Sequence, residues 1–251
     1  MSSVQNVSVP HVIAEWWRDH RTHHTTFATA RDFVRKLWDF ARASTPEQRR
    51  RRFGDVDFDF DYRVNTTAGT LSWRDRLIGA FTSEYQATDP ALFDEMLRAL
   101  GIDFHSFTFI DLGSGKGRAL LMAAEYPFQR IIGVELLPTL HRIAEENVRA
   151  YRSASQQCFD IETICADAAD FVFPDQPLVV YLFNPFIESQ LGKVVARLES
   201  SIVQHPRPVC FVYHNPLLHE VFTRSGTFKK LGGTHQYFVF GNEEFSQLVR
   251  R

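Results

Sequence analysis

The chain has 251 residues, 44% of them hydrophobic and 23% charged, with a formal net charge of −2. That size and balance fit one large globular domain or one domain with a helical appendage, and the charge gives no global pull toward nucleic acid or an anionic membrane. The longest apolar run, PLVVYLFNPF, is far shorter than the ~20 residues of a bilayer-spanning helix, and the amino-terminal stretch lacks the layout of a secretory signal.

In chain order, HVIAEWWRDHRTHHTTFATARDFVRKLWDFARA reads as helical with an aromatic stripe, and TPEQRRRRFGDVDFDFDYRVNTTAGTLS reads as a polar, irregular connector. ATDPALFDEMLRALG is a helix opened by Thr88 or Asp89, with Pro90 at its first position and Gly101 as terminator. FTFIDL is a buried strand, GRALLMAAEY a helix, RIIGVEL a second strand, and PTLHRIAEENVRAYRS an amphipathic helix. Strands IETICADA and PLVVYLF, helix ESQLGKVVARLESSIV and strand RPVCFVYH follow. Short apolar strands alternating with helices imply right-handed crossovers and a parallel sheet covered on both faces. The end of the chain, GTFKKLGGTHQYFVFGN, has two strand-like runs around Gly232-Gly233 and predicts an antiparallel hairpin. These elements divide the chain into an N-terminal helical cap and connector over residues 1–85 and an α/β domain over 86–251. Three scattered cysteines, Cys158, Cys165 and Cys210, form no C-x-x-C pair and suit a reducing, cytoplasmic compartment.

The chemistry concentrates in FIDLGSGKGR, Phe109 to Arg118, where three glycines follow a strand and open a helix. A phosphate-binding loop of the G-x-x-x-x-G-K-[ST] kind would need glycine at 110 and Ser or Thr at 117, where Ile110 and Gly117 stand. A dinucleotide fingerprint would need a small residue at 118, where Arg118 stands. What remains is an acidic residue at a strand end, followed by glycine at every second position. This pattern resembles the first motif of the class I S-adenosylmethionine (SAM) dependent methyltransferases.

The resemblance implies an α/β, Rossmann-like fold: a mostly parallel seven-stranded sheet with helices on both faces, ending in the antiparallel hairpin. It also implies SAM as cofactor. The implied contacts are Asp111, Gly113, Ser114, Gly115, Gly117 and Arg118 in the loop, with Glu135 on the ribose hydroxyls beside Leu136. Asp167, beside Ala168, would meet the adenine amino group. YQATDP resembles a Tyr-x-x-Thr stretch in two protein-lysine methyltransferase families, the non-SET nucleosomal histone type and a mitochondrial type, which carries Tyr85 and Thr88 over as cofactor contacts. Thr88 also reads as a plain helix cap. FDYRVNTTAG is similar to a stretch in uncharacterised bacterial methyltransferases, where Asn65, Thr66 and Thr67 would offer polar contacts from a lid.

LFNPF, at the carboxyl end of the fourth strand, resembles the Asn-Pro-Pro-Tyr/Phe motif of amino-directed methyltransferases with one proline missing. By that likeness Asn184 also lies against the cofactor and orients the methyl acceptor through its side-chain oxygen, and Phe186 walls the pocket. Asn184-Pro185 equally reads as a strand-to-helix turn, since Asn caps helices and Pro starts them. His214 in HNPLL reads as a strand-end histidine hydrogen-bonded to backbone rather than as a general base. RRRR at 49–52 reads as a solvated basic run rather than a nucleic-acid contact, and HRTHH has no nearby third ligand for a metal. The partner the resemblance implies is a methyl-acceptor substrate, a protein or a small molecule, and no metal or membrane is expected. A nitrogen acceptor, with protein lysine ahead of a small amine, leads. A small-molecule O- or N-methyltransferase of secondary metabolism and a non-catalytic SAM-binding module are the alternatives.

Overall fold

The computed structural model describes residues 8–43, 56–67, 74, 77, 78, 80 and 87–249. Tyr85 and the 49–52 arginine run lie outside these residues. Seven strands form one sheet in the order β3-β2-β1-β4-β5-β7-β6. They are β1 Thr108–Leu112, β2 Arg130–Glu135, β3 Ile161–Cys165, β4 Leu178–Phe183, β5 Val209–His214, β6 Lys229–Gly233 and β7 Tyr237–Gly241. Strands β1 to β5 are parallel, and β7 enters antiparallel between β5 and β6.

Every residue of β1, β4 and β5 except Phe183 is buried, as continuous apolar runs require when helices cover both faces. Alternation along the strands sorts the core into two layers. Phe109, Ile131, Val179, Tyr181 and Val212 face α4 (Pro90–Arg98), α5 (Arg118–Ala123) and α9 (Glu243–Leu248). Ile110, Leu112, Val180, Phe211 and Tyr213 face α7 (Glu188–Gln204) and α8 (Glu220–Ser225). Helix α6 (Pro138–Ala150) packs along β2 and β3. The strand order reverses direction between β1 and β4, so the crevice for a ligand opens beyond the carboxyl ends of these two strands.

Two local expectations are refined and two are corrected. The amino-terminal helical stretch is two helices, α1 (Val9–His23) and α2 (Thr26–Ala43), broken where His24 takes an extended conformation with φ −134° and ψ 154°. The connector contains a helix, α3 (Val56–Tyr62), whose Phe58 and Tyr62 pack on the first core layer. Gly232 and Gly233 belong to β6 rather than to the hairpin turn, which runs over 234–236 and is closed by the Thr234 N–H donating to the Tyr237 carbonyl at 2.8 Å. Asp89, not Thr88, caps α4 by accepting the Leu92 N–H at 2.9 Å.

The pair α1–α2 is held by Val12, Trp16 and Ile78, with Trp17, Phe33 and Leu137 packed against them. Leu137 follows β2, and α1 also reaches the start of α7 through Glu15 with Gln190 and His23 with Glu188. The helical pair therefore docks on the carboxyl-end side of the sheet.

Candidate active site

The loop after β1 is shaped by its glycines. Gly113, Gly115 and Gly117 all take positive φ, at +81°, +55° and +83°, a region that a side chain makes costly. The loop folds back on β2: Gly113 and Ser114 both donate their N–H to the Val134 carbonyl, at 2.8 and 3.1 Å. A Cβ built on Gly113 would lie 2.5 Å from Cβ of Pro185, so the loop after β1 and the turn after β4 touch at the switch point. A Cβ built on Gly117 would lie 3.2 Å from Cβ of Ala144 in α6, so the bare glycine lets the helix after the loop approach α6 closely.

Two carboxylates flank this loop. Glu135, at the tip of β2, accepts the Gly115 N–H at 2.8 Å and the Leu137 N–H at 2.8 Å, fixing the two turns relative to each other. Asp111 is buried, and its carboxylate makes no hydrogen bond among the described residues. Burial, and then the nearby Glu135 charge, raise its pKa well above the usual carboxylate range. Ser114 Oγ is likewise buried and has no hydrogen-bond partner among the described residues. A desolvated carboxylate and an orphaned hydroxyl beside a bare-backbone turn suit a ligand with positive charge and polar groups. Asp167 follows β3, where its Oδ1 takes the Ala169 N–H at 2.8 Å in a tight turn and Ala168 is buried in the second layer. Leu136 lies half-buried next to Glu135.

Thr88 sits in the core, its hydroxyl 2.8 Å from the Tyr181 hydroxyl. Tyr181 is the β4 register partner of Asp111 and lies 3.0 Å from Nδ1 of His214. His214 thus bonds to a phenol, not to backbone as expected, and its ring stacks on Phe183 with centroids 3.7 Å apart. Burial lowers its pKa to about 4, which keeps it neutral near pH 7. Asn184 follows Phe183 with φ +44°, and its Oδ1 accepts the Tyr213 hydroxyl at 2.7 Å. Phe186 is half-buried against the second core layer.

The segment after α3 binds the back of the glycine loop. Asp59 receives the N–H groups of Thr66 and Thr67 and the Thr66 hydroxyl. Lys116, buried in the middle of the loop, donates to Asn65 Oδ1 at 3.0 Å and to the Thr67 carbonyl. Arg118 Nη1 reaches Thr66 Oγ1 at 3.4 Å, and its guanidinium lies over the Phe58 ring at 4.3 Å. Asn147 of α6 closes the network. It accepts the Asn65 N–H at 2.8 Å and donates to the carbonyls of Asn65 at 3.0 Å and Lys116 at 2.9 Å. Sequence reasoning placed Asn65, Thr66 and Thr67 near the site but missed Asp59, Lys116, Asn147, Tyr181 and Tyr213. Their roles arise from contacts distant in sequence, and the only local hint was a lysine between two glycines. Asn147→Ala removes three hydrogen bonds from a buried junction and should cost about 1–3 kcal/mol, read as a lower midpoint in urea unfolding.

Among the described residues, no group of His, Cys, Asp and Glu is placed to hold a metal ion. A family model described as "Histone methylation protein DOT1" matches residues 77–177, a span holding the glycine loop, Glu135 and Asp167 but ending before Asn184. No curated protein matches the chain. Solved structures that it resembles include TrmN from Thermus thermophilus (19% identity, TM-score 0.46, 62% of this chain and 50% of that one). Others are the ribosomal protein L11 methylase from Lactobacillus delbrueckii subsp. bulgaricus (17%, 0.41, 62% and 76%) and an RNA methyltransferase from Salinibacter ruber in complex with S-adenosyl-L-homocysteine (19%, 0.39, 62% and 92%). The chain thus spans half the length of the Thermus protein. The sheet order is that of a Rossmann-like fold, and the match to the histone methylation family model, over residues 77–177, covers the glycine turn flanked by Asp111 and Glu135.

Proposed function

We propose that the protein transfers a methyl group to a nitrogen atom, with a protein lysine ahead of a small-molecule amine. The observation that carries this reading is the contact between the loop after β1 and the Asn184-Pro185-Phe186 turn, where Pro185 abuts Gly113. On this reading the Asn184 amide and the rings of Phe183 and Phe186 wall the acceptor site beside that loop. The family match to a histone methylation model supports a lysine as acceptor.

Bound SAM supplies an electrophilic methyl group on a sulfonium. The chain's own part is to bind, align and desolvate, since an in-line displacement needs the reacting atoms held about 3–3.5 Å apart and collinear. On this reading Asp111 attracts the cationic end of the cofactor, Glu135 takes the ribose hydroxyls and Asp167 the adenine amino group. The backbone of Gly113, Gly115 and Gly117, with Ser114, Leu136 and Ala168, lines the cleft, and Tyr85 and Thr88 flank it. Arg118 contributes from behind, through the 65–67 segment that it and Lys116 anchor. A lysine ammonium, with a reference pKa of about 10.4, must lose its proton before attack. The aromatic walls of Phe183 and Phe186 lower that pKa by desolvation. His214 is neutral and bonded to Tyr181, so it serves to brace Phe183 rather than to carry charge.

Residues 1–85 form the cap and connector in this proposal and 86–251 the catalytic domain. The three cysteines are unpaired, which suits the cytoplasm, and no described helix is long and apolar enough to cross a membrane. The docking of α1 on Leu137 and the start of α7 favours a second reading, a small-molecule acceptor in a covered pocket. Incubation with radiolabelled SAM and fractionated cell extract tests both. Acid-stable label on protein lysine supports the first, label in small molecules the second, and label confined to RNA refutes both.

A further inference from the structure

The ends of β4 and β5 carry the same dipeptide. Phe183 pairs with His214 across the two strands, and Asn184-Pro185 and Asn215-Pro216 follow them. Both asparagines are left-handed, with φ +44° and +51°, a conformation that asparagine tolerates better than most residues. One hydroxyl ties the two turns together. Tyr213, fully buried, accepts the Leu218 N–H at 3.2 Å beyond the second turn and donates to Asn184 Oδ1 at 2.7 Å in the first.

A phenol has one proton. With the Leu218 N–H on its oxygen, that proton goes to Asn184, and the atom receiving it must be the amide oxygen. Turning the amide over would set its N–H2 against the phenol and leave the phenolic proton buried without an acceptor. Burial pushes the Tyr213 hydroxyl up to about 12, so it remains a donor at neutral pH. The amide nitrogen of Asn184 makes no hydrogen bond among the described residues, and the residue is only partly buried.

We propose that Tyr213 is a positioning residue for Asn184: it holds the amide oxygen inward and presents the N–H2 edge to the cleft, where that edge recognises a carbonyl or carboxylate oxygen. The inference rests on the methyltransferase reading of this cleft. It reverses the polarity implied by the Asn-Pro-Pro-Tyr/Phe likeness, in which the amide oxygen receives an N–H. Two sources supply such an oxygen: the methionine carboxylate of the cofactor, and a carbonyl of the methyl acceptor beside the reacting nitrogen.

The order of two substitutions decides between the polarities. Asn184→Asp keeps an oxygen for Tyr213 but replaces the donor edge by a negative acceptor, whereas Asn184→Ala removes both. If the cleft receives an oxygen there, Asn184→Asp is the more damaging of the two. If it receives an N–H, or if Asn184 only supports Tyr213, Asn184→Ala is the more damaging and the proposal is overturned. The measurements are S-adenosylhomocysteine affinity by calorimetry and label transfer from SAM to extract fractions, with thermal melts to confirm folding. A cofactor carboxylate as the partner predicts that affinity falls at least about tenfold in Asn184→Asp. An acceptor carbonyl predicts unchanged affinity and a similar fall in transfer. Tyr213→Phe should reproduce the same loss several-fold more weakly, because the amide is then free to turn. Should Asn184→Asp fail to fold, a Tyr213→Phe protein with wild-type affinity and transfer overturns the proposal. A wild-type chain that binds no S-adenosylhomocysteine refutes the cofactor reading itself, and the inference with it.

Discussion

Gly113→Ala is expected to unfold at a clearly lower urea concentration and to lose most of its affinity for SAM. The position has φ +81°, and an added Cβ would lie 2.5 Å from Cβ and 3.0 Å from Cγ of Pro185. The left-handed conformation costs an L-residue about 1–2 kcal/mol, and forcing a methyl into a filled contact about 1–3 kcal/mol more. Relief requires the loop after β1 to part from the turn after β4, the two walls of the cleft proposed for the cofactor. SAM affinity should therefore fall by on the order of 100-fold, measured by calorimetry. Gly101→Ala is the matched control. Its φ is +60° with nothing within 4 Å, so it carries the backbone cost alone and should leave SAM binding unchanged.

Asp111→Asn should make the ligand-free protein more stable near neutral pH while weakening SAM binding by roughly 10- to 100-fold, the worth of a hydrogen bond to a charged group. Burial and the Glu135 charge raise the Asp111 pKa in the folded state well above its unfolded value of 3.8. Folded protein then holds this proton more tightly than unfolded chain. The Asp111 contribution to stability is most favourable at low pH and is lost as pH rises from about the unfolded pKa through the raised folded one. Asparagine removes that cost. A cationic ligand favours the ionised carboxylate, so binding to wild type should expel a proton at pH values below the raised pKa. Calorimetry in buffers of different ionisation enthalpy reads that proton, and Asp111→Asn should abolish it. Equal proton release by both proteins would exclude Asp111 as its source.

The core of the fold was legible because its signals are local. FTFIDL, RIIGVEL, PLVVYLF and RPVCFVYH are apolar runs too short for helices, and the structure uses each as a parallel strand. Gly113, Gly115 and Gly117 were legible for the same reason, since a turn needing three positive φ values leaves a compositional mark. Helix α3 was not, because DVDFDFDY carries many helix-poor Asp residues, and tertiary contacts stabilise it: Tyr62 packs beside Tyr151 and donates to Glu125. The hairpin turn was misplaced because Gly232-Gly233 looks like a turn. The glycines instead sit at an irregularity of β6, where a Cβ on Gly233 would lie 2.2 Å from the Tyr237 carbonyl oxygen. The links from Tyr213 to Asn184 and from Lys116 to Thr67 join residues 29 and 49 positions apart, and no local pattern announces them.

Lys116 has one more consequence. In loops that cradle polyphosphates, the lysine at this kind of turn points at the ligand and neutralises it. Here its ammonium is drawn back to Asn65 and Thr67, and burial lowers its pKa to about 8. The front of the turn instead shows Asp111 and Glu135. ATP and ADP, which share an adenosine with SAM and abound in cells, would carry their phosphates toward two carboxylates without meeting the lysine's countercharge. On the proposed reading of this cleft, one side chain turned backwards would disfavour the commonest competitors for an adenosine site.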